Sequence, residues 1–97
     1  MVKHIVFFKT REGASATELA KMVADFRKFG SSAGYIRNFS IGHDISHRGA
    51  FDMALSCELE TEADVQRYGA DPEHRRIVSD FVAKLCEDHR EVVDYVY

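Results

Sequence analysis

The 97-residue chain has one proline, two cysteines and no tryptophan, and no segment is dominated by glycine or serine. This composition leaves no linker, low-complexity tract or internal repeat, so we predict a single domain over residues 1–97. Cys57 and Cys86 are too few for a disulfide framework, and neither has a second cysteine at zinc-finger spacing. We interpret both as reduced core thiols of a cytoplasmic protein, and we expect no metal site.

Positive charge is not concentrated anywhere in the sequence. Lysine and arginine total 13 against 16 aspartate and glutamate residues, which gives a formal net charge of −3. Nucleic-acid binding normally requires a clustered positive surface, so we do not expect nucleic acid as a partner. No apolar run is long enough to cross a bilayer and no signal-peptide pattern is present, so we expect no membrane partner. With 45% hydrophobic residues, the chain can build a core.

Four segments have the composition of β-strands. Residues 2–9 are β-branched and aromatic with apolar residues on both faces, which predicts a central strand. Residues 35–44 predict a second strand, and residues 91–97 predict the last one. Residues 51–59 alternate strictly and predict a third strand that pairs with the second as an antiparallel hairpin. The apolar face of the third strand consists of Phe51, Met53, Leu55, Cys57 and Leu59.

Helix-start signals separate these strands. Ser15 and Glu18 form a capping box before an apolar stripe of helical period. Thr61 begins a short helix that ends near Gly69, and Asp71 with Pro72 begins another. The stripe of the last helix consists of His74, Ile77, Val78, Phe81 and Leu85. This helix therefore directs a titratable ring, His74, toward the core.

The resulting order is β-α-β-β-α-β with a split second helical unit. Right-handed crossovers and hairpin pairing favour an α+β, ferredoxin-like fold with an antiparallel sheet and the helices on one face. The other sheet face presents Ile5, Phe7, Val93, Tyr95 and Tyr97. No remaining segment can cover this apolar face, and large exposed apolar patches usually mark interfaces. We therefore predict a homodimer in which two sheets face each other.

Three segments resemble those of a known family. Val2-Lys3-His4-Ile5-Val6 is similar to its first strand, Tyr68-x-x-Asp71-Pro72-x-His74 to its Tyr-x-x-His-Pro-x-His motif, and Val93-Asp94-Tyr95 to its closing strand. The family is Dabb, the stress-responsive dimeric α+β barrels. The resemblance extends over essentially the whole chain and implies the same dimeric barrel.

The resemblance also implies candidate catalytic residues. In plant polyketide cyclases of the olivetolic acid cyclase type, the second histidine of the motif is the general base and the motif tyrosine is its partner. These positions correspond to His74 and Tyr68. The first-strand histidine corresponds to His4, and the carboxylate of the last strand corresponds to Asp94. Asp71 stands where the family often has histidine, which argues against a role that needs two neighbouring imidazoles there.

The chemistry of these side chains is compatible with an acid–base site. His4 and Asp94 are expected on neighbouring strands, where a carboxylate fixes the tautomer of an imidazole and raises its basicity. At His74, burial and the helix N-terminus favour the neutral ring, while a nearby carboxylate opposes them. Tyr68 can donate a hydrogen bond to a developing enolate. The alternative is that His74 and His4 are structural, with His74 hydrogen-bonded to the backbone or to Asp94.

Four functions remain open at this point. The first is the binding of a small apolar or aromatic molecule between helices and sheet. The second is a cofactor-free polyketide cyclase or lyase in which His74 is the general base and Tyr68 its partner. A monooxygenase of the related dimeric barrels and a purely structural protomer are the others, and we expect no cofactor. The predicted walls of the pocket are Val6, Phe8, Phe26, Val78 and Phe81.

Overall fold

The computed structural model describes all 97 residues and contains one four-stranded sheet. Strand β1 covers Val2–Phe8, β2 covers Arg37–His43, β3 covers Met53–Leu59 and β4 covers Glu91–Val96. Their order in the sheet is β2-β3-β1-β4, and all neighbours are antiparallel. This is the predicted ferredoxin-like topology. The β-branched and aromatic strand β1 is central, as predicted from its two apolar faces.

Two helices begin at the side-chain caps that the sequence predicts. Helix α1 covers Ala16–Ser32, and the hydroxyl of Ser15 accepts the backbone N–H of Glu18. Helix α2 covers Glu62–Ala70 and is capped by Thr61 in the same way. Each cap satisfies a backbone N–H that has no partner inside the helix, which is why the two boundaries are readable from the sequence.

The last helix, α3, is irregular. It begins at Pro72 after the N-cap Asp71 and consists of an α-helical part over Pro72–Ile77, a π-helical part over Val78–Val82 and a final turn over Ala83–Leu85. A π-helical turn contains an extra residue and therefore rotates the positions that follow it. Val82 is fully buried as a result, whereas Phe81 is only half-buried.

The core lies between one sheet face and the helices. Alternate residues of β1 and β3 face the helices and are buried, including the polar residue His4. No helix covers the opposite face, and β4, at the edge of the sheet, is exposed along its whole length. The exposed large apolar side chains of β4 and the C-terminus are Val92, Val93, Tyr95, Val96 and Tyr97.

One residue of the predicted third strand lies on the wrong side. Phe51 precedes β3, and its ring contacts Phe7 with centroids 6.0 Å apart, so it lies on the uncovered face rather than beside Met53. The chain leaves the strand geometry at Asp52, whose carboxylate accepts hydrogen bonds from the backbone and hydroxyl of Thr10 at 2.9 and 2.6 Å. These hydrogen bonds between Thr10 and Asp52 interrupt the strand alternation from which the position of Phe51 is predicted.

Candidate functional site

A cavity of about 310 Å³ opens between the sheet and helices α2 and α3. Its lining includes all four polar residues that the sequence predicts for a site: His4, Tyr68, His74 and Asp94. The first and last come from neighbouring strands, and the other two come from α2 and the first turn of α3. The structure thus brings together residues that are up to 90 positions apart in the sequence.

His4 and Asp94 form a directly paired unit. They are register partners on β1 and β4, and His4 Nδ1–H donates to Asp94 Oδ1 at 2.5 Å. His4 is 7% exposed. A carboxylate partner fixes the tautomer of an imidazole, so the proton of this bond lies on Nδ1. Lys3 and Arg37 pair with other carboxylates, those of Glu58 and Glu60, so Asp94 does not serve them.

Three rings form a continuous contact in this cavity. The centroid of Tyr68 lies 4.8 Å from that of His4 and 4.4 Å from that of His74. Phe29 of α1 supports the group, at 5.7 Å from Tyr68 and 6.2 Å from His74. The aromatic packing positions the polar atoms of Tyr68 and His74 through ring contacts alone. Their hydrogen-bonding capacity is therefore not used by this packing.

Two polar atoms of Tyr68 and His74 have no partner in the protein. The Tyr68 hydroxyl and His74 Nδ1 are both buried and form no hydrogen bond, and the bond of Asp94 goes to His4. Burial raises the pKa of Tyr68, so its hydroxyl is a donor at neutral pH. Burial, and secondarily the charge of His4, lowers the pKa of His74, so its ring is neutral and can accept a proton. The pair therefore offers one base and one donor to a bound molecule.

The walls of the cavity are mostly as predicted. Val6, Phe8, Phe26 and Val78 line it, but Phe81 does not, so that prediction is wrong. The π-helical turn rotates Phe81 away and places Val82 at the cavity instead. Lining residues that the sequence reasoning missed are Leu55, Val65, Gly69, Val82, Arg90 and Val92.

Arg90 is the most consequential of the missed residues. In the sequence Arg90 follows His89 after the predicted last helix, and cations in that position are typical of a helix C-terminus. Helix α3 ends at Leu85, however, and Arg90 lies in the segment that leads into β4. Its Nε is buried and has no hydrogen-bond partner. The signal that identifies it is alternation, because Arg90 shares the parity of Val92 and Asp94 on the helix-facing side.

Asp71 has a structural role outside the cavity. Its Oδ1 accepts the backbone N–H of Glu73 at 3.0 Å and caps α3, while its Oδ2 accepts the hydroxyl of Tyr35 at 2.8 Å. The replacement of the family's usual histidine by aspartate therefore acts on the start of α3 and its contact with Tyr35, and Asp71 does not line the cavity.

The cysteines lie in the core, as predicted. Cys57 and Cys86 are buried and free, and burial raises the pKa of the Cys57 thiol to about 12. No three histidine, cysteine, aspartate or glutamate side chains are grouped as metal ligands would be. No helix of the protein has the length and apolar character needed to cross a bilayer.

Comparison with known proteins agrees with this architecture. The chain matches the Stress responsive A/B Barrel Domain family over residues 2–97. It is 30% identical over 90 residues to a stress-response A/B barrel domain-containing protein of Arabidopsis thaliana, and the match covers 91% of this chain and 34% of that protein. The chain thus spans about a third of the length of this relative.

Two solved structures have the same fold. A dimeric ferredoxin-like protein of unknown function from Thermobifida fusca superposes with a TM-score of 0.85 at 20% identity, over 99% of this chain and 90% of that one. The hydroxynitrile lyase of Passiflora edulis superposes with a TM-score of 0.83 at 19% identity, over 99% and 92%. Because the family match extends over residues 2–97, the chain belongs to the stress-responsive A/B barrel domain family.

Proposed function

We propose that the cavity binds a small, largely apolar or aromatic molecule. The observation that carries this proposal is the combination of an open cavity of about 310 Å³ with the unpartnered, buried tips of Tyr68 and His74. Small-molecule sites are typically apolar clefts of roughly 300–1,000 Å³ that contain a few convergent polar groups. A cavity that served only folding would be filled or would have its polar atoms paired.

A thermal-shift experiment tests this binding. Neutral single-ring compounds such as acetophenone and phenylacetamide should raise the melting temperature of the protein, because a ligand that binds only the folded state stabilises it. Val78→Phe, which adds a ring at the cavity wall, should abolish the shift. Ala24→Phe, on the exposed side of α1, is the control and should retain it. If no compound in a broad aromatic series shifts the wild type, the proposal is wrong.

The second candidate function is cofactor-free proton abstraction next to a carbonyl group, as in a cyclase or lyase. A specific observation favours it: the pKa of His74 is lowered by burial, its Nδ1 is unpaired, and its ring contacts that of Tyr68, whose free hydroxyl can stabilise an enolate. The hydroxynitrile lyase of Passiflora edulis supports a lyase reaction on this fold. The monooxygenase alternative stays a prediction.

Exchange of α-protons tests the second candidate directly. In D₂O, the protein should accelerate deuterium incorporation into the methyl group of acetophenone, followed by proton NMR. His74→Gln should reduce this rate by about 100-fold or more, in the range known for general bases. Its melting temperature and its shift with phenylacetamide should persist. Full exchange activity in the variant would show that His74 is not the base.

A further inference from the structure

We propose that Arg90 makes the cavity a site for an anionic ligand, namely a small aromatic or aliphatic carboxylate whose apolar body lies among the cavity walls. This inference rests on the proposed binding function and specifies its ligand class. Three buried side-chain polar atoms in the whole protein lack a hydrogen-bond partner, and all three belong to residues that line this one cavity. They are Tyr68 Oη, His74 Nδ1 and Arg90 Nε.

Such a coincidence requires a cause. Buried polar groups in native proteins are nearly always hydrogen-bonded, and an unpaired one lowers stability. Three independent packing defects would be scattered through the core rather than gathered around one opening. A ligand that bonds to these atoms explains both their lack of internal partners and their common location.

The charge of Arg90 decides the ligand class. A guanidinium remains protonated in proteins and has donors only, so its natural partner is an oxyanion. Arg90 has no carboxylate partner in the protein, and it is the one arginine with a buried side-chain nitrogen that forms no hydrogen bond.

Asp94, the acidic residue of the cavity, does not pair with Arg90. Its carboxylate is bonded to His4 Nδ1 at 2.5 Å and forms no ion pair with the guanidinium. The Arg90 guanidinium therefore has no carboxylate of the protein within ion-pair distance. The hydroxyl of Tyr68 adds a second donor, and His74 adds an acceptor. A carboxylate with an adjacent carbonyl or hydroxyl group matches this set, and the remaining wall is apolar.

Matched pairs of anionic and neutral probes test the inference. Phenylacetate and 3-phenylpropanoate differ from phenylacetamide and 3-phenylpropanamide mainly in the charge of the terminal group. By calorimetric titration, the wild type should bind each acid more tightly than its amide. Arg90→Gln should weaken binding of the acids by about 10- to 100-fold, the range for a charged hydrogen bond. It should weaken binding of the amides much less, because a neutral carbonyl gains only an ordinary hydrogen bond from the guanidinium. Arg48→Gln, in the exposed loop after β2, should change neither.

Two further measurements keep the test decisive. Arg90→Lys preserves the charge but not the planar fork, and it should give an intermediate loss for the acids. In the wild type, the arginine Nε–Hε NMR signal of Arg90 should shift with phenylacetate and not with phenylacetamide. Acids and amides that bind equally well in both the wild type and Arg90→Gln would overturn the role of Arg90 while the binding function stands. If none of the four probes binds, this inference fails, and the thermal-shift series of aromatic compounds decides separately whether the binding function stands.

Discussion

Tyr68 and His74 occupy positions that a purely structural role does not explain. Each buries a polar atom without a partner, and each such atom costs about 1–3 kcal/mol relative to a satisfied one. Their neighbours His4 and Asp94 are, in contrast, hydrogen-bonded to each other. The site thus combines one hydrogen-bonded pair with two groups whose buried polar atoms are unpaired. Residues that reduce stability in this way are typical of functional sites, where other constraints outweigh folding.

Removal of the Tyr68 hydroxyl should not destabilise the fold. Tyr68→Phe keeps the ring contacts and deletes a buried oxygen that has no partner, so the free energy of unfolding should stay equal or rise by up to about 1–3 kcal/mol. Tyr35→Phe is the matched control, because it breaks a 2.8 Å bond to Asp71 and should lose about 1 kcal/mol. Urea unfolding measures both. A loss in Tyr68→Phe as large as in the control would show that this hydroxyl is bonded within the protein.

Protonation of His74 should weaken the protein at acid pH. Burial lowers its pKa in the folded state below the ordinary value of 6.5, which applies in the unfolded chain. Below about pH 6.5 the unfolded state therefore binds a proton that the folded state does not. The free energy of unfolding decreases as the pH is lowered, until the pKa of the folded state is reached. Urea unfolding of His74→Gln at about pH 7.5 and about pH 5.5 should show the variant gaining relative to the wild type at the lower pH. The same difference in free energy of unfolding between the variant and the wild type at both pH values would contradict this prediction.

Strand alternation explains which site residues the sequence could reveal. His4 and Asp94 could be placed together because β1 and β4 are neighbours and each residue's parity fixes its face. The same alternation also places Arg90 on the helix-facing side, provided that the backbone is already extended in the segment before β4. It does not apply if α3 is expected to continue to that residue. The length of α3 depends on tertiary packing, so local signals assign Arg90 to the wrong element.

At the scale of elements, the helix starts were predictable and the interior of α3 was not. Ser15, Thr61 and Asp71 cap their helices through side-chain bonds that depend only on nearby residues. The π-helical turn over Val78–Val82 depends instead on how α3 packs against α1 and the sheet, which no local pattern encodes. For this reason the predicted stripe is correct as far as Ile77 and fails at Phe81.

The close approach of α1 to β2 depends on a glycine. A Cβ added at Gly30 would lie 2.6 Å from the Cβ of Phe39, and because that atom is next to the backbone, a rotamer change cannot relieve the clash. Gly30→Ala should therefore destabilise the fold by about 1–3 kcal/mol, as overpacked cores do. Gly69→Ala is the matched helical control, with no atom within 4 Å of the added Cβ, and should be neutral or gain up to about 1 kcal/mol. Thermal or urea unfolding compares them. Equal effects would mean that α1 can move away from β2 without loss.

At the scale of the whole molecule, β4 connects the cavity to the uncovered sheet face. Its helix-facing residues Val92 and Asp94 line the cavity, while Val93 and Tyr95 on the other face are 47% and 45% exposed. Beside them, Ile5 and Phe7 of β1 extend the apolar surface, and the half formed by β2 and β3 is small and polar. We propose that a second copy of the chain covers this surface. The dimeric description of the Thermobifida fusca neighbour supports this proposal.

A charge at the centre of this surface should separate the two copies. Val93→Asp places a carboxylate in the apolar face, where its desolvation opposes association, but it leaves the interior of the protomer untouched because Val93 is exposed there. In sedimentation velocity, the wild type should have twice the 11.0 kDa chain mass and the variant the single mass, with the same circular dichroism spectrum. Ala24→Asp, on the exposed side of α1, should remain dimeric. Since β4 also bounds the cavity, the monomeric variant should bind aromatic ligands more weakly than Ala24→Asp does. A wild type that stays monomeric at high concentration would refute the sheet-to-sheet dimer, and equal ligand affinity in the two variants would show that the cavity is complete within one chain.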